Sequence, residues 1–399
     1  MHTVRILALA QGLSAAGMMT MFLLGGIVGS ELAPVPQLAT LPLSLMIVGV
    51  ALATIPAALA MQRFGRRRAF IASVVLAAGA SLVVAWAIVI ASFALMCAAS
   101  LVLGVNLAFQ QQQRFAAAES VPAEQASRAI STVMLGTLAA AVVGPQLALA
   151  CKALVPQHQY AGSFLLVAAL CLASAAVLTR YHAPAMHVNT AGGDARPLAE
   201  VVRQPAYLVA VAAAVVAYSV MSFIMTATPI SMHVHDLYSD THTAWVIQSH
   251  VLAMYAPSLI SGRLIARIGI RAGMLAGLAL MAASVIVDGS GRLLFHYWWG
   301  LVLLGLGWNL LFVAGTTLLT GCYRPAERYR AQAVNEFSVF GVQAIASLLA
   351  GPAVHSLGWT KLNLATVPLL AGLGVVLLLH SPTPSGAASA TSLSGRGTR

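Results

Sequence analysis

The sequence predicts an all-α membrane protein of twelve transmembrane helices, built as two six-helix pseudo-repeats. Three observations carry that expectation. Of 399 residues, 60% are hydrophobic and only 8% are charged, a balance outside the range of soluble domains. Apolar runs of about 20 residues, each able to cross ~30 Å of hydrocarbon as a helix, recur along the whole chain. Basic residues gather in every second loop.

The expected spans are roughly 5–29, 39–61, 69–90, 92–113, 128–151, 161–180, 205–231, 243–266, 272–290, 294–321, 332–357 and 362–380. No small-residue cleavage site follows the first, so it reads as a span and not as a removed signal. With the N-terminus inside, Arg63, Arg66, Arg67 and Arg68 fall inside between spans two and three, as do Arg263, Arg267 and Arg271 between eight and nine. Only Lys152, Arg292 and Lys361 fall outside, against 18 inner basic residues out of 21. That bias predicts a bacterial inner-membrane protein with both termini cytoplasmic. The net charge of +11 is then a topology signal. The expected partner is a lipid bilayer and not nucleic acid.

Three features occur twice in register. Ala58-Leu-Ala-Met-Gln-Arg-Phe-Gly-Arg-Arg67 matches Gly262-Arg-Leu-Ile-Ala-Arg-Ile-Gly-Ile-Arg271 at an offset of 204. Gly104-Val-Asn-Leu-Ala-Phe109 matches Gly307-Trp-Asn-Leu-Leu-Phe312 at 203, and Gly144-Pro145 matches Gly351-Pro352 at 207. The implied domains are an N-terminal bundle (1–180), a cytoplasmic linker (181–203), a C-terminal bundle (204–380) and a disordered tail (381–399) rich in Ser, Thr, Gly and Ala. The four cysteines, Cys97, Cys151, Cys171 and Cys322, form no zinc or disulfide framework. No phosphate-binding G-x-x-x-x-G-K-[ST] loop is present, so a primary pump is not expected; the chain reads as a transporter and not an enzyme, with no cofactor.

The repeated basic hairpin resembles the G-x-L-x-D-R-x-G-R-R signature of the major facilitator superfamily, and Gly144-Pro145 resembles part of that superfamily's helix-five motif. The resemblance implies two six-helix bundles rocking about a site near the midplane. The chain departs from the signature at its Asp, which is Gln62 in the first copy and Ala266 in the second, and the usual helix-four Arg is Ser100. Arg63, Gly65, Arg67, Arg267 and Gly269 are therefore candidates for gating or coupling, or for simple anchoring at the inner face. Glu336, beside Asn335, is a candidate proton carrier or inner gate, or an interfacial partner for an arginine such as Arg330. Gln110 to Gln113 read as a vestibule lining. Asn106 and Asn309 read as interhelical packing groups. Trp308 reads equally as pore lining or as packing.

Polar and soft side chains inside spans mark candidate sites. Met221 and Met225 share a face of helix seven, and His250 and Met254 share a face of helix eight. From a rise of ~1.5 Å per residue, Met225 lies roughly 9 Å and Met221 roughly 15 Å below the outer end, with His250 roughly 10 Å and Met254 roughly 17 Å down. Were the helices antiparallel neighbours, the four would form two stacked rungs. Met232, His233, His235 and Asp236 lie above them as a candidate outer mouth that captures a cation. Three thioethers and an imidazole suit Cu(I). Methionine also fills gaps in apolar helices, and with 15 of them in the chain such spacings are cheap. His182 and Met186 repeat the H-x-x-x-M pattern across Pro184, where no helical face survives.

The set Met221, Met225, His250 and Met254 resembles the signature of CcoA-type copper importers within the superfamily. That resemblance implies a copper ion as substrate, import into the cytoplasm for assembly of cbb3-type cytochrome oxidase, and cytoplasmic thiols or copper chaperones as acceptors. A sister group of that wider family carries riboflavin. The alternatives are thus a carrier of a riboflavin-like vitamin, a drug or metabolite efflux protein working by proton antiport, and a non-transporting receptor or scaffold.

Overall fold

The computed structural model describes residues 2–118, 120–121, 126–182 and 195–379. The expected tail at 381–399 and Met186 lie outside them. The described residues form fourteen α-helices. The first half holds α1 (His2–Leu32), α2 (Leu41–Phe64), α3 (Arg66–Val89), α4 (Phe93–Ala118), α5 (Ala126–Ala150) and α6 (Ala161–Leu178). The second holds the short α7 (Leu198–Val202), then α8 (Pro205–Pro229), α9 (Asp240–Tyr255), α10 (Ser258–Ile268), α11 (Ile270–Ser290), α12 (Leu294–Thr320), α13 (Arg328–Leu364) and α14 (Val367–Leu379). Lipid offers backbone N–H and C=O groups no partners, so a chain this apolar must satisfy them within helices.

Ten helical stretches are long and apolar enough to cross a membrane, and α9 with α10 form an eleventh span bent by 45°. The last of the ten runs 50 residues, Arg330–Leu379. At ~1.5 Å per residue that is roughly 75 Å, more than twice a hydrocarbon core. Gly358 breaks it with φ of +74°, a left-handed value that favours glycine. The stretch therefore supplies two crossings, and the total of twelve agrees with the apolar runs.

The repeat is visible in local geometry. Gly65 (φ +78°) ends α2 and Gly269 (φ +91°) ends α10, so the matched glycines make the same left-handed turn. The guanidinium of Arg67 donates to the Thr179 carbonyl at the end of α6. Its repeat mate Arg271 donates to the carbonyls of Leu377 (2.8 Å) and Leu378 (2.7 Å) at the end of α14. Each arginine satisfies terminal carbonyls and complements a helix C-terminus. Arg63 lies over the Phe64 ring at 5.4 Å, and Arg63 and Arg267 are exposed. These hairpins lie on what we call the arginine-rich face. On the same face the segment before α7 is pinned to the second half. Arg196 binds Glu327 through Nε (2.8 Å) and NH2 (2.7 Å), and the guanidinium holds that carboxyl down to a pKa of about 2.

Within the first half, α1 packs on α5 and α6, α2 on α4, and α3 on α4 and α6. In the second, α12 packs on α8, α9 and α11, and α13 packs on α8. The halves meet through α2 against α13 and α5 against α9. α2 and α4 approach closely, and a Cβ on Gly104 would sit 2.0 Å from the Met46 carbonyl oxygen.

The halves are latched at the face opposite the arginines. Asp240, 8% exposed, opens α9 and binds Lys152 Nζ at 2.7 Å across the interface. Tyr160 donates to the same carboxylate at 3.2 Å, and His233 Nδ1 lies 3.3 Å from it. Deeper, Ser44 Oγ donates to the Ser347 carbonyl at 2.7 Å and Gln248 donates to the Val142 carbonyl at 2.8 Å. Towards the arginine-rich face the halves are bridged by Arg114 and Glu336, at a looser 3.9 Å.

Two outcomes follow from this packing. Gly104→Leu overpacks the α2–α4 contact and lowers stability by about 1–3 kcal/mol, read as a drop in detergent-solubilised Tm. Gly79→Ala, with nothing within 4 Å of its Cβ, leaves Tm unchanged or raised; equal drops in both would refute the close-approach argument. Asp240→Asn removes a charged hydrogen bond contributing about 1.5–3 kcal/mol and shifts the balance of the two halves by roughly ten- to a hundredfold. Thiol alkylation of a cysteine placed at Gln248, from the latched face, rises accordingly; no change in rate would mean that Asp240 is no latch.

Candidate functional site

The two halves enclose a cavity near mid-depth. Its lower chamber, towards the arginine-rich face, spans about 850 Å³ counted with the open solvent at its mouth. Its upper chamber spans about 560 Å³ on the same count. The chambers share Met18, Leu107, Gln111, Tyr218 and Tyr255, so they adjoin at those side chains. Arg114 and Glu336 stand at the lower end with side chains 24% and 29% exposed. The Asp240–Lys152 latch lies towards the opposite side of the bundle.

One wall is aromatic. Trp308 and Phe312, four apart on one face of α12, stack at 5.0 Å and 14°. Tyr218 of α8 stands edge-on to Trp308 at 5.1 Å and to Phe312 at 5.4 Å. Tyr255 of α9 meets Trp308 edge-on at 5.9 Å. Such edge-to-face sets hold one another rigid and present flat π faces. The opposing wall, from α1, α4 and α5, carries amides. Gln11 donates its Nε2 to Thr137 at 3.1 Å, which aims the amide and leaves Oε1 buried with no partner among the described residues. Gln110 Oε1, Arg114 Nε, Trp308 Nε1 and, in the upper chamber, Gln343 Oε1 are in the same state. A buried unpaired polar atom costs about 1–3 kcal/mol. Five around one cavity are what a ligand with both donors and acceptors would satisfy.

The structure gathers some expected site residues and separates others. Met221, Met225 and Met254 all line the upper chamber, joined by Met18 and Met19 of α1. His250 lines neither chamber. It is fully buried, and its Nδ1 lies 2.7 Å from the Leu301 carbonyl of α12. That carbonyl only accepts, so Nδ1 carries the hydrogen and Nε2 is the unprotonated nitrogen. The two stacked rungs assumed that α8 and α9 are neighbours. Instead α12 packs against both, because adjacency in sequence does not dictate adjacency in a two-fold bundle. Among the described residues no three His, Cys, Asp or Glu side chains converge as a metal site.

The expected acidic mouth is a closed network. Past Pro229 the chain continues as a π-helical turn, Ile230–His235, and the Asp236 N–H donates to the Ser231 carbonyl at 3.0 Å. That wide turn buries Ile230, Ser231 and Met232 and leaves Val234 and His235 exposed. Met232 is fully buried, His233 Nδ1 lies 2.9 Å from the Tyr238 carbonyl, and His235 packs on His355 at 5.2 Å. Asp236 accepts from Tyr297 at 2.7 Å and pairs with Arg292 at 3.3 Å. Its carboxylate, 15% exposed, is paired at the edge of the bundle with the half-exposed Arg292.

Other candidates resolve plainly. Asn309 Nδ2 donates to the Met254 carbonyl and to Ser258 Oγ, both at 2.7 Å, and so pins the bend between α9 and α10. Asn106 accepts from Ser73 at 3.3 Å. Both pack, as their repeat positions suggested. Glu336 faces Arg114 and not Arg330. Asn335 Oδ1 is buried and unpaired among the described residues. Gln110 and Gln111 line the lower chamber. Sequence reasoning missed Gln11 and Tyr218. The one available signal was an amide and a phenol interrupting small-residue runs in spans one and seven.

The comparisons with known proteins follow this geometry. Residues 7–237 and, in a second match, 210–397 fit the Major Facilitator Superfamily. The riboflavin transporter RfnT of Brucella anthropi is 42% identical over 386 residues, covering 96% of both chains. The uncharacterised MFS-type transporter YddS of Bacillus subtilis is 28% identical over 91% of this chain and 87% of its own length. Among solved structures, a bacterial homologue of the human lysosomal transporter Spinster, inward-facing and occupied, superposes with a TM-score of 0.71 at 15% identity, over 95% of this chain and 96% of that one. The human organic anion transporter MFSD10 superposes at 0.67 and 15% identity, over 94% and 98%. At that identity these structures speak for the fold alone. The relative at 42% is named for riboflavin and not for copper, so the copper-importer branch expected from four residues is not the branch that whole-chain similarity supports. Both halves match the family and a full-length relative is well above 30% identity: the chain belongs to the major facilitator superfamily of membrane transporters.

Proposed function

We propose that this protein imports riboflavin, or a flavin close to it, across the bacterial inner membrane into the cytoplasm. The observation that carries the reading is 42% identity to a riboflavin transporter over 96% of the chain. The cavity supports it. Trp308, Phe312, Tyr218 and Tyr255 offer faces and edges for a planar heteroaromatic ring. Gln11, Gln110 and Trp308 carry unpaired acceptors and a donor suited to ring N–H and C=O groups and to hydroxyls. The arginine-rich face is then cytoplasmic, and the conformation is the inward-facing one of an alternating-access cycle. A neutral solute draws nothing from the membrane potential, so accumulation needs a coupled ion or cytoplasmic consumption of the cargo. Arg114 and Glu336 act as the inner gate.

Copper import is the second reading, favoured by one observation: Met221, Met225 and Met254 converge on the upper chamber. The two readings differ in what sulfur does. A copper path needs the thioether as ligand; a flavin wall needs only its shape and apolarity.

In a riboflavin auxotroph, expression of this chain restores growth on low riboflavin and uptake of labelled riboflavin; uptake no greater than the empty vector refutes the reading. Trp308→Ala and Tyr218→Ala each reduce that uptake more than about tenfold, on a stacking contribution of about 1–3 kcal/mol. Joint substitution of Met221, Met225 and Met254 by Leu reduces riboflavin uptake less than about threefold, since such swaps conserve volume. Radioactive copper uptake by wild type that the same triple variant abolishes would reverse the assignment.

A further inference from the structure

We propose that the upper chamber is an end-pocket for the methylated benzenoid edge of the flavin, and that Met221, Met225 and Met254 set specificity at that edge. The proposal rests on the flavin reading and adds a direction to it: the ring enters apolar edge first, and its polar parts stay on the arginine-rich side.

The polarity of the cavity is split along its axis. Four of the five buried unpaired polar atoms, Gln11 Oε1, Gln110 Oε1, Arg114 Nε and Trp308 Nε1, belong to the lower chamber. The upper has one, Gln343 Oε1, whose amide nitrogen donates to Ser222 at 3.3 Å. It is instead lined by the thioethers of Met19, Met221, Met225 and Met254, with Met18 at the border, supplied by α1, α8 and α9 and therefore by both halves. Tyr218 and Tyr255 stand at the border between chambers, where a ring spanning both would cross them.

A flavin has the matching asymmetry. One edge is a benzenoid ring with two methyl groups and no hydrogen-bonding atom. The other is a pyrimidinedione with donors and acceptors, and the sugar-alcohol chain adds hydroxyls. Setting the polar edge among thioethers would leave those groups unpaired. Setting the methylated edge there pairs polar with polar below and brings sulfur to the ring edge, the approach thioethers favour. The flexible, unbranched methionines fit an irregular outline.

The test is flavin fluorescence quenching on the purified full-length protein. The probes are riboflavin, an analogue lacking both ring methyls, and an analogue with a carboxylate in place of one methyl. Binding to wild type weakens roughly fourfold for each methyl removed and by well over tenfold for the carboxylate. Met225→Gln and Met254→Gln weaken riboflavin and narrow the gap between riboflavin and the carboxylate analogue at least tenfold. If wild type binds riboflavin and the methyl-free analogue equally well, the end-pocket is overturned while the flavin reading stands. The same holds if both glutamine variants keep the wild-type ratio. If wild type binds riboflavin not at all, the flavin reading itself falls and this inference with it.

Discussion

A hydrocarbon slab offers no hydrogen bonds, and the rest of this structure answers that constraint. Every crossing is helical because only a helix closes its own backbone bonds. Where a helix ends near the slab, something supplies the missing partners: Arg67 and Arg271 for the last carbonyls of α6 and α14, and the π-helical turn after Pro229 for α8. Where the path bends, Asn309 pins the Met254 carbonyl. Buried side-chain atoms without a partner among the described residues occur elsewhere too, at His250, Asp288 and Asn335 for example, but five of them gather around one cavity that both halves line.

The same constraint explains the asymmetry between the two ends of the bundle. The latched end concentrates charge on one buried carboxylate, Asp240, shared between Lys152, Tyr160 and His233. Low surrounding dielectric strengthens such pairs and raises the cost of breaking them singly. The Arg114–Glu336 bridge is longer and wetter, so it is the weaker of the two. A protein that rocks between halves needs one end firmly closed while the other yields, and the distribution of these pairs describes that condition.

The site was only partly legible. Thioethers in register at one depth are visible from helical spacing, and three of the four soft residues do meet. His250 does not join them, because its neighbour is Leu301 of α12 and not a residue of α8. Spacing reports faces of single helices; it does not report which helices touch. The aromatic wall was less visible still. Trp308 was ambiguous, and Tyr218 looked like an ordinary residue of an apolar span until α12 brought Trp308 and Phe312 against it. The four residues that resembled a copper signature outweighed the amides and rings that surround them.

The sequence by itself determined the class of the molecule: apolar runs of spanning length, an arginine bias between loops, and a motif repeated about 204 residues apart. These are one-dimensional properties, set by the rise of a helix and the thickness of a membrane, and no tertiary contact alters them. Tertiary structure decided which chambers exist, which side chains face them, and that Asp236 is paired with Arg292 and Tyr297. Those depend on the order in which helices pack around two pseudo-symmetric halves, and residues far apart in sequence, such as Gln11 and Trp308, come to share a cavity only there.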